Sequence, residues 1–183
     1  MSAALQREFP KTIEERIDEI EAARNELIAA TIALDAAKAE ARPAPDRWSV
    51  SEILYHLYMA ETRVTERLAA LLSAPERKER PNETELKAEW ERIVKTVLNR
   101  EPRITAPAPI QPARIPSLAQ AIQSLKESRE ALLKVIRAHS EDDLASIGFP
   151  HPLPTVGMFS GLGWLSIAAC HDSRHLEQIS EIV

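Results

Sequence analysis

The chain has 183 residues, of which 44% are apolar and only 4% aromatic, so a core of single-domain size has to be filled by Leu, Ile, Val and Ala. Four glycines against thirteen prolines argue against an all-β fold with many tight turns, while long stretches of Ala, Leu, Glu, Lys and Arg favour helix. A net charge of -5 with no basic stripe argues against a polyphosphate-binding face, so nucleic acid is not an expected partner.

Met1 to Pro10 lacks a basic region followed by an apolar one, so no secretory signal is expected. Ile13, Ile17, Ile20, Leu27 and Leu34 recur at helical steps with charges between them. They predict an amphipathic first helix of about eight turns that ends before Pro43 and Pro45. Arg42 to Arg47 is a proline-broken turn. Ser49-Val50-Ser51-Glu52 reads as a capping box, and Ile53, Leu57, Ala60, Val64, Leu68 and Leu71 follow at helical spacing. A second helix is therefore expected from about Val50 to Leu72.

Asn82 is placed to cap a shorter helix carrying Leu86, Trp90, Ile93, Val94 and Val97. Five prolines between Pro102 and Pro116 then forbid helix, because each ring removes a donor and clashes with the preceding turn. Ile104, Ile110 and Ile115 give this extended connection something to pack. Ser117 caps the next helix, with Leu118, Ile122, Leu125, Leu132, Leu133 and Ile136 on its buried stripe. His139 to Ser160 is expected to be a long loop. The last helix starts near Ser160 or Gly163 and brings Trp164, Ala168, His171, His175, Ile179 and Ile182 into register.

These elements make an all-α protein: a four-helix bundle over residues 1–183, with an extra short helix in a long connection. The long middle connections allow neighbouring helices to lie side by side without strict up-down alternation. The apolar stretch Gly161 to Cys170 is far shorter than the ~20 residues that span a bilayer, so no membrane association is expected. Cys170 is the only cysteine, which rules out an internal disulfide and fits a reducing, cytoplasmic setting.

His171 and His175 are four residues apart, so both project from one helix face, and that face is the apolar one. His56 lies on the edge of the second helix's buried stripe. A lone core histidine is usually satisfied by a backbone carbonyl. Three facing one core can instead be satisfied together by a shared cation, and spacing alone leaves both readings open. His139 and His151 fall in expected loops and read as exposed. Glu52 could orient His56, but its place in the capping box is the simpler role. Glu61, Asp172 and Glu177 are expected to face solvent. Cys170, about 100° around the helix from His171, is expected to be a small buried residue rather than a reactive thiol.

Trp48-Ser49-Val50-Ser51-Glu52-Ile53-Leu54-Tyr55-His56-Leu57, together with His171-Asp172-Ser173-Arg174-His175-Leu176-Glu177-Gln178-Ile179, resembles the DinB-like (YfiT-like) superfamily. The resemblance covers most of the chain. It implies a four-helix bundle, frequent assembly as a homodimer, and a three-histidine site for Zn²⁺, Ni²⁺ or a similar divalent ion. By the motif match, His56, His171 and His175 take the ligand positions. Three neutral imidazoles leave the charge of such an ion uncancelled and at least one position open, the mark of a catalytic rather than a structural site. An ion so held can activate a water or a thiol. The resemblance thus implies a metal-dependent enzyme acting on a small molecule, either a hydrolase or an S-transferase using a low-molecular-weight thiol such as bacillithiol or mycothiol. The alternatives are a non-catalytic binding or stress-response module braced by the metal, and a plain helical scaffold with three core histidines. No carboxylate stands out as a general base.

Overall fold

The computed structural model describes residues 7–101, 105–153 and 156–183. Thr12 opens the first helix, α1 (Ile13–Thr31), through a capping box in which its side chain accepts from the Glu15 N–H and the Glu15 carboxylate accepts from the Thr12 N–H. The helix is shorter than its stripe suggests. It stops at Thr31, whose hydroxyl donates to the Leu27 carbonyl at 2.9 Å, and a five-residue helix, α2 (Ala36–Glu40), begins separately at Asp35. Asp35 holds an extended backbone and accepts from the Lys38 N–H, so a side-chain cap replaces continuation of the helix. Leu34 still packs, half-buried, after the break.

Capping boxes at Ser49/Glu52, Asn82/Glu85 and Ser117/Gln120 start α3 (Val50–Ser73), α4 (Glu83–Val97) and α5 (Leu118–Arg137) where the sequence places them. Between α4 and α5, Pro102 and Ile104 lie outside the described residues. The described part of the connection holds no regular element apart from a 3-10 turn at Ala108–Ile110. Ile110 is half-buried, but Ile115 is 46% exposed and does not pack as expected.

Residues 139–153 and 156–160 hold regular structure where a loop is expected. A short helix, α6 (Glu141–Ala145), starts at a Ser140/Asp143 capping box. A hairpin of β1 (Gly148–Pro150) and β2 (Met158–Ser160) then pairs Phe149 with Phe159. Gly157 in its turn takes a φ of +95°, a conformation open to glycine, with the Arg92 guanidinium close by. Arg92 fastens the hairpin to α4 by donating to the carbonyls of Val156 and Met158 and lying over the Phe159 ring. The last helix, α7 (Gly161–Ser180), is capped by Ser160.

The bundle consists of α1, α3, α5 and α7, with α4 packed on α7 through Leu86, Trp90 and Ile93. Its core falls into two clusters. One contains Ile20 of α1, Leu68 of α3, Leu132 of α5 and Leu165 of α7; the other contains Leu27, Leu57, Leu125 and Ile179 from the same four helices. The order in which each helix visits them makes α1 parallel to α7 and α3 parallel to α5, with the two pairs running opposite ways. The α4-containing connection supplies the length that parallel α3 and α5 require. Among the described residues, no helix is long and apolar enough to cross a membrane.

Candidate metal centre

The histidines border the second core cluster, whose Trp48 packs against His56. His56 comes from the first turns of α3, and His171 and His175 from successive turns of α7, so the antiparallel packing of α3 on α7 brings all three together. His171 Nε2 lies 3.3 Å from His56 Nε2 and 3.0 Å from His175 Nε2, and one ligand atom from each ring falls within 4.8 Å of the others. Around a tetrahedral zinc with Zn–N bonds of about 2.0–2.1 Å, neighbouring nitrogens stand about 3.3 Å apart. His56 and His175 are buried and His171 is half-buried.

The outward nitrogens fix the tautomers. His56 Nδ1 donates to the Ile110 carbonyl at 2.8 Å, and His175 Nδ1 donates to Gln178 Oε1 at 2.8 Å. With the proton held on Nδ1, a neutral imidazole presents a bare Nε2 lone pair. Both bare nitrogens face His171 Nε2, where a proton could serve one of them at a time. A cation at the centre would satisfy all three, and a backbone carbonyl such as that of Ile110 is a usual Nδ1 partner of a metal-binding histidine.

Electrostatics keep the rings neutral. Burial, then the charges that His175 and His56 would carry, then Arg174, hold His171 well below the usual histidine value. Burial and the His56 charge do the same for His175, and burial lowers His56 against the opposing pull of the Ile110 carbonyl. Trp48 packs against the His56 ring at a centroid distance of 4.9 Å. Arg174, between the two α7 histidines, donates to the carbonyls of Val97 and Asn99 and so ties the end of α4 beside the site.

Several expectations about neighbouring residues need correction. Glu61 and Asp172 do not face solvent: Glu61 is 6% and Asp172 1% exposed. Both are neutralised by buried arginines. Arg24 grips Asp172 with two nitrogens at 2.9 and 3.1 Å and reaches Glu61 at 3.1 Å, while Arg129 lies 2.7 Å from Glu61 and 3.0 Å from Asp172. Ser128 and the carbonyls of Leu125 and Ile20 complete the network. Glu177 is half-buried. His139 is half-buried and donates to the Val135 carbonyl. His151 is half-buried too, with its ring parallel to Trp164 at 5.7 Å, so neither is an exposed loop residue.

Other expectations hold. Glu52 closes the capping box and pairs with Arg42 rather than touching His56. Cys170 is buried, and burial pushes its thiol up to about 11. Sequence reasoning assigned no role to Gln178, although the Gln-Ile after the second histidine was part of the motif. It had no means of finding the Ile110 carbonyl, 54 residues from its partner.

Among the described residues, the four-helix bundle carries a three-histidine cluster, and comparison with known proteins gives the family and the fold. The DinB superfamily model matches residues 19–179, and the chain belongs to that family. It is 28% identical over 149 residues to the uncharacterized protein YuaE of Bacillus subtilis (strain 168), covering 79% of this chain and 83% of that one. Its fold is similar to YfiT from Bacillus subtilis, described as a probable metal-dependent hydrolase with an unusual four-helix bundle topology (TM-score 0.61, 17% identity, 97% of this chain and 90% of that chain). It is also similar to TT2238, a four-helix bundle protein (TM-score 0.59, 22% identity, 92% of this chain and 98% of that one).

Proposed function

We propose that His56, His171 and His175 bind one divalent metal ion, zinc or nickel by ligand type, and that the chain is a metal-dependent enzyme acting on a small molecule. The observation that carries this reading is the convergence of three Nε2 atoms at 3.0 and 3.3 Å with two of the Nδ1 protons committed elsewhere. A divalent ion there would supply Lewis-acid activation of a water or a thiol. The protein's own groups do the rest. The Ile110 carbonyl and Gln178 orient two rings, and Trp48 covers His56. His171, the least buried of the three rings, would mark the side from which a substrate enters.

Glu52, Glu61 and Asp172, three acidic residues close to the histidines in sequence, are engaged by Arg42, Arg24 and Arg129. That arrangement favours reactions whose nucleophile loses its proton on binding rather than to a side-chain base. Hydrolysis and transfer to a small thiol both meet this condition, and the description of YfiT as a probable metal-dependent hydrolase supports the first. A homodimer is the assembly we propose.

The test uses untagged protein loaded with one equivalent of Zn²⁺ or Ni²⁺, screened against ester and amide substrates and against electrophiles with low-molecular-weight thiols. Turnover that disappears with chelation and in His175→Ala supports the enzyme. Metal binding that raises thermal stability with no turnover in any class would instead identify a metal-braced, non-catalytic module.

A further inference from the structure

Four of the buried charges, Arg24, Glu61, Arg129 and Asp172, lie in one layer; Arg16 and Glu52 are buried elsewhere. Arg24 stands between Ile20 and Leu27 on α1, Glu61 between Leu57 and Leu68 on α3, Arg129 between Leu125 and Leu132 on α5, and Asp172 between Ala169 and Ile179 on α7. Each helix of the bundle therefore contributes one charged residue of this layer at the boundary between the two apolar clusters. The two carboxylates come from α3 and α7, the helices that carry the histidines. A single nitrogen, Arg129 Nη2, lies 2.7 Å from Glu61 and 3.0 Å from Asp172, and the Arg24 fork spans the same pair. Asp172 follows His171 directly and precedes His175 by three residues, within one turn of both.

We infer that Arg24, Glu61, Arg129 and Asp172 are positioning residues for the histidine cluster, setting the separation and rotation of α3 against α7. This inference rests on the metal reading of that cluster. Apolar packing allows a helix to rotate by small amounts at little cost, whereas a planar guanidinium on two carboxylates fixes direction as well as distance. The precision matters at the site. A 15° rotation of α7 would carry an imidazole nitrogen about 6–7 Å from the helix axis through about 1.6–1.8 Å, against a metal–ligand tolerance of about 0.2 Å. Stability alone does not account for the layer, because well-packed apolar replacements of a buried ion cluster are often as stable or more so.

That last point supplies the test. The quadruple variant Arg24→Met, Glu61→Leu, Arg129→Met, Asp172→Leu and the wild type are compared by circular dichroism and thermal melting, then titrated with Co²⁺ as an optical probe. The expected variant is helical and melts no lower than wild type. It binds Co²⁺ at least tenfold more weakly, with a changed visible absorption band. Wild-type affinity and an unchanged band in the folded variant would overturn the inference. If the quadruple variant does not fold, Arg129→Lys keeps the charge but loses the fork. It is expected to weaken Co²⁺ binding and shift the band as well, and wild-type behaviour there overturns the inference equally. A wild-type protein that takes up no Co²⁺ would refute the metal reading itself, and this inference with it.

Discussion

Replacing Gln178 with Ala removes the acceptor that holds the His175 Nδ1 proton at 2.8 Å and leaves every ligand atom in place. The cost of an unpartnered buried N–H falls on the metal-free and metal-loaded forms alike and largely cancels from the affinity. The difference that survives arises in the loaded form, where the ring's N–H is more acidic and its hydrogen bond stronger. Losing a partner of this kind typically weakens metal binding by about 10–100-fold, or roughly 1.4–2.7 kcal/mol. Gln178→Glu places a carboxylate on the same proton and is expected to bind as tightly as wild type or tighter. Competition for Zn²⁺ against a chromophoric chelator at neutral pH measures all three proteins. Gln178→Ala within twofold of wild type would refute the assignment of Gln178, and weaker binding by Gln178→Glu would refute the tautomer argument.

Four further outcomes follow from named contacts. Burial depresses all three site histidines, so the unfolded chain takes up protons below about pH 6.5 while the folded metal-free chain resists them. Stability is therefore full above that value and is lost as pH falls, at up to about 1.4 kcal/mol per pH unit for each histidine. Thermal melts of metal-free protein between pH 7.5 and 5 should show a slope that is shallower in His171→Leu; an identical slope would contradict the assignment. Asp172→Asn leaves Arg24 and Arg129 under-compensated in the core and should cost about 3–5 kcal/mol by denaturant unfolding. Gly163→Ala would bring a Cβ within 2.7 Å of the Glu89 carboxylate, which accepts from the Ser160 N–H and hydroxyl at the start of α7. Melting should fall by about 5 °C, which corresponds to roughly 1–3 kcal/mol in a chain of this size. Cys170, raised to about 11 and buried, should react with a thiol reagent at pH 7.5 only as fast as the protein unfolds.

The parts of this structure legible in the sequence are those encoded within one helix. Ser49/Glu52, Asn82/Glu85 and Ser117/Gln120 announce helix starts because a capping box is complete within four residues. His171 and His175 declare a shared face by their spacing, and the wider motif added His56. Short elements escaped, since α6 and the Phe149–Phe159 hairpin are too brief to show a period. The buried charges escaped for a different reason. Glu61 continues the stripe Leu57, Thr65, Leu68 and Leu72, and Asp172 the stripe Leu165, Ala169 and Ile179, so their inward direction was visible in register. What made it improbable was the absence of a local counter-charge. The partners are 37 to 148 residues away, on helices whose adjacency only the fold reveals.

The central question about this protein is whether its three histidines hold a metal. Elemental analysis of untagged protein, before and after equilibration with Zn²⁺ or Ni²⁺, decides it, since a histidine tag would contribute ligands of its own. The prediction is about one divalent ion per chain in the wild type and none retained by His56→Ala or His175→Ala. A wild-type protein that is metal-free as purified, and takes up neither ion, would contradict it.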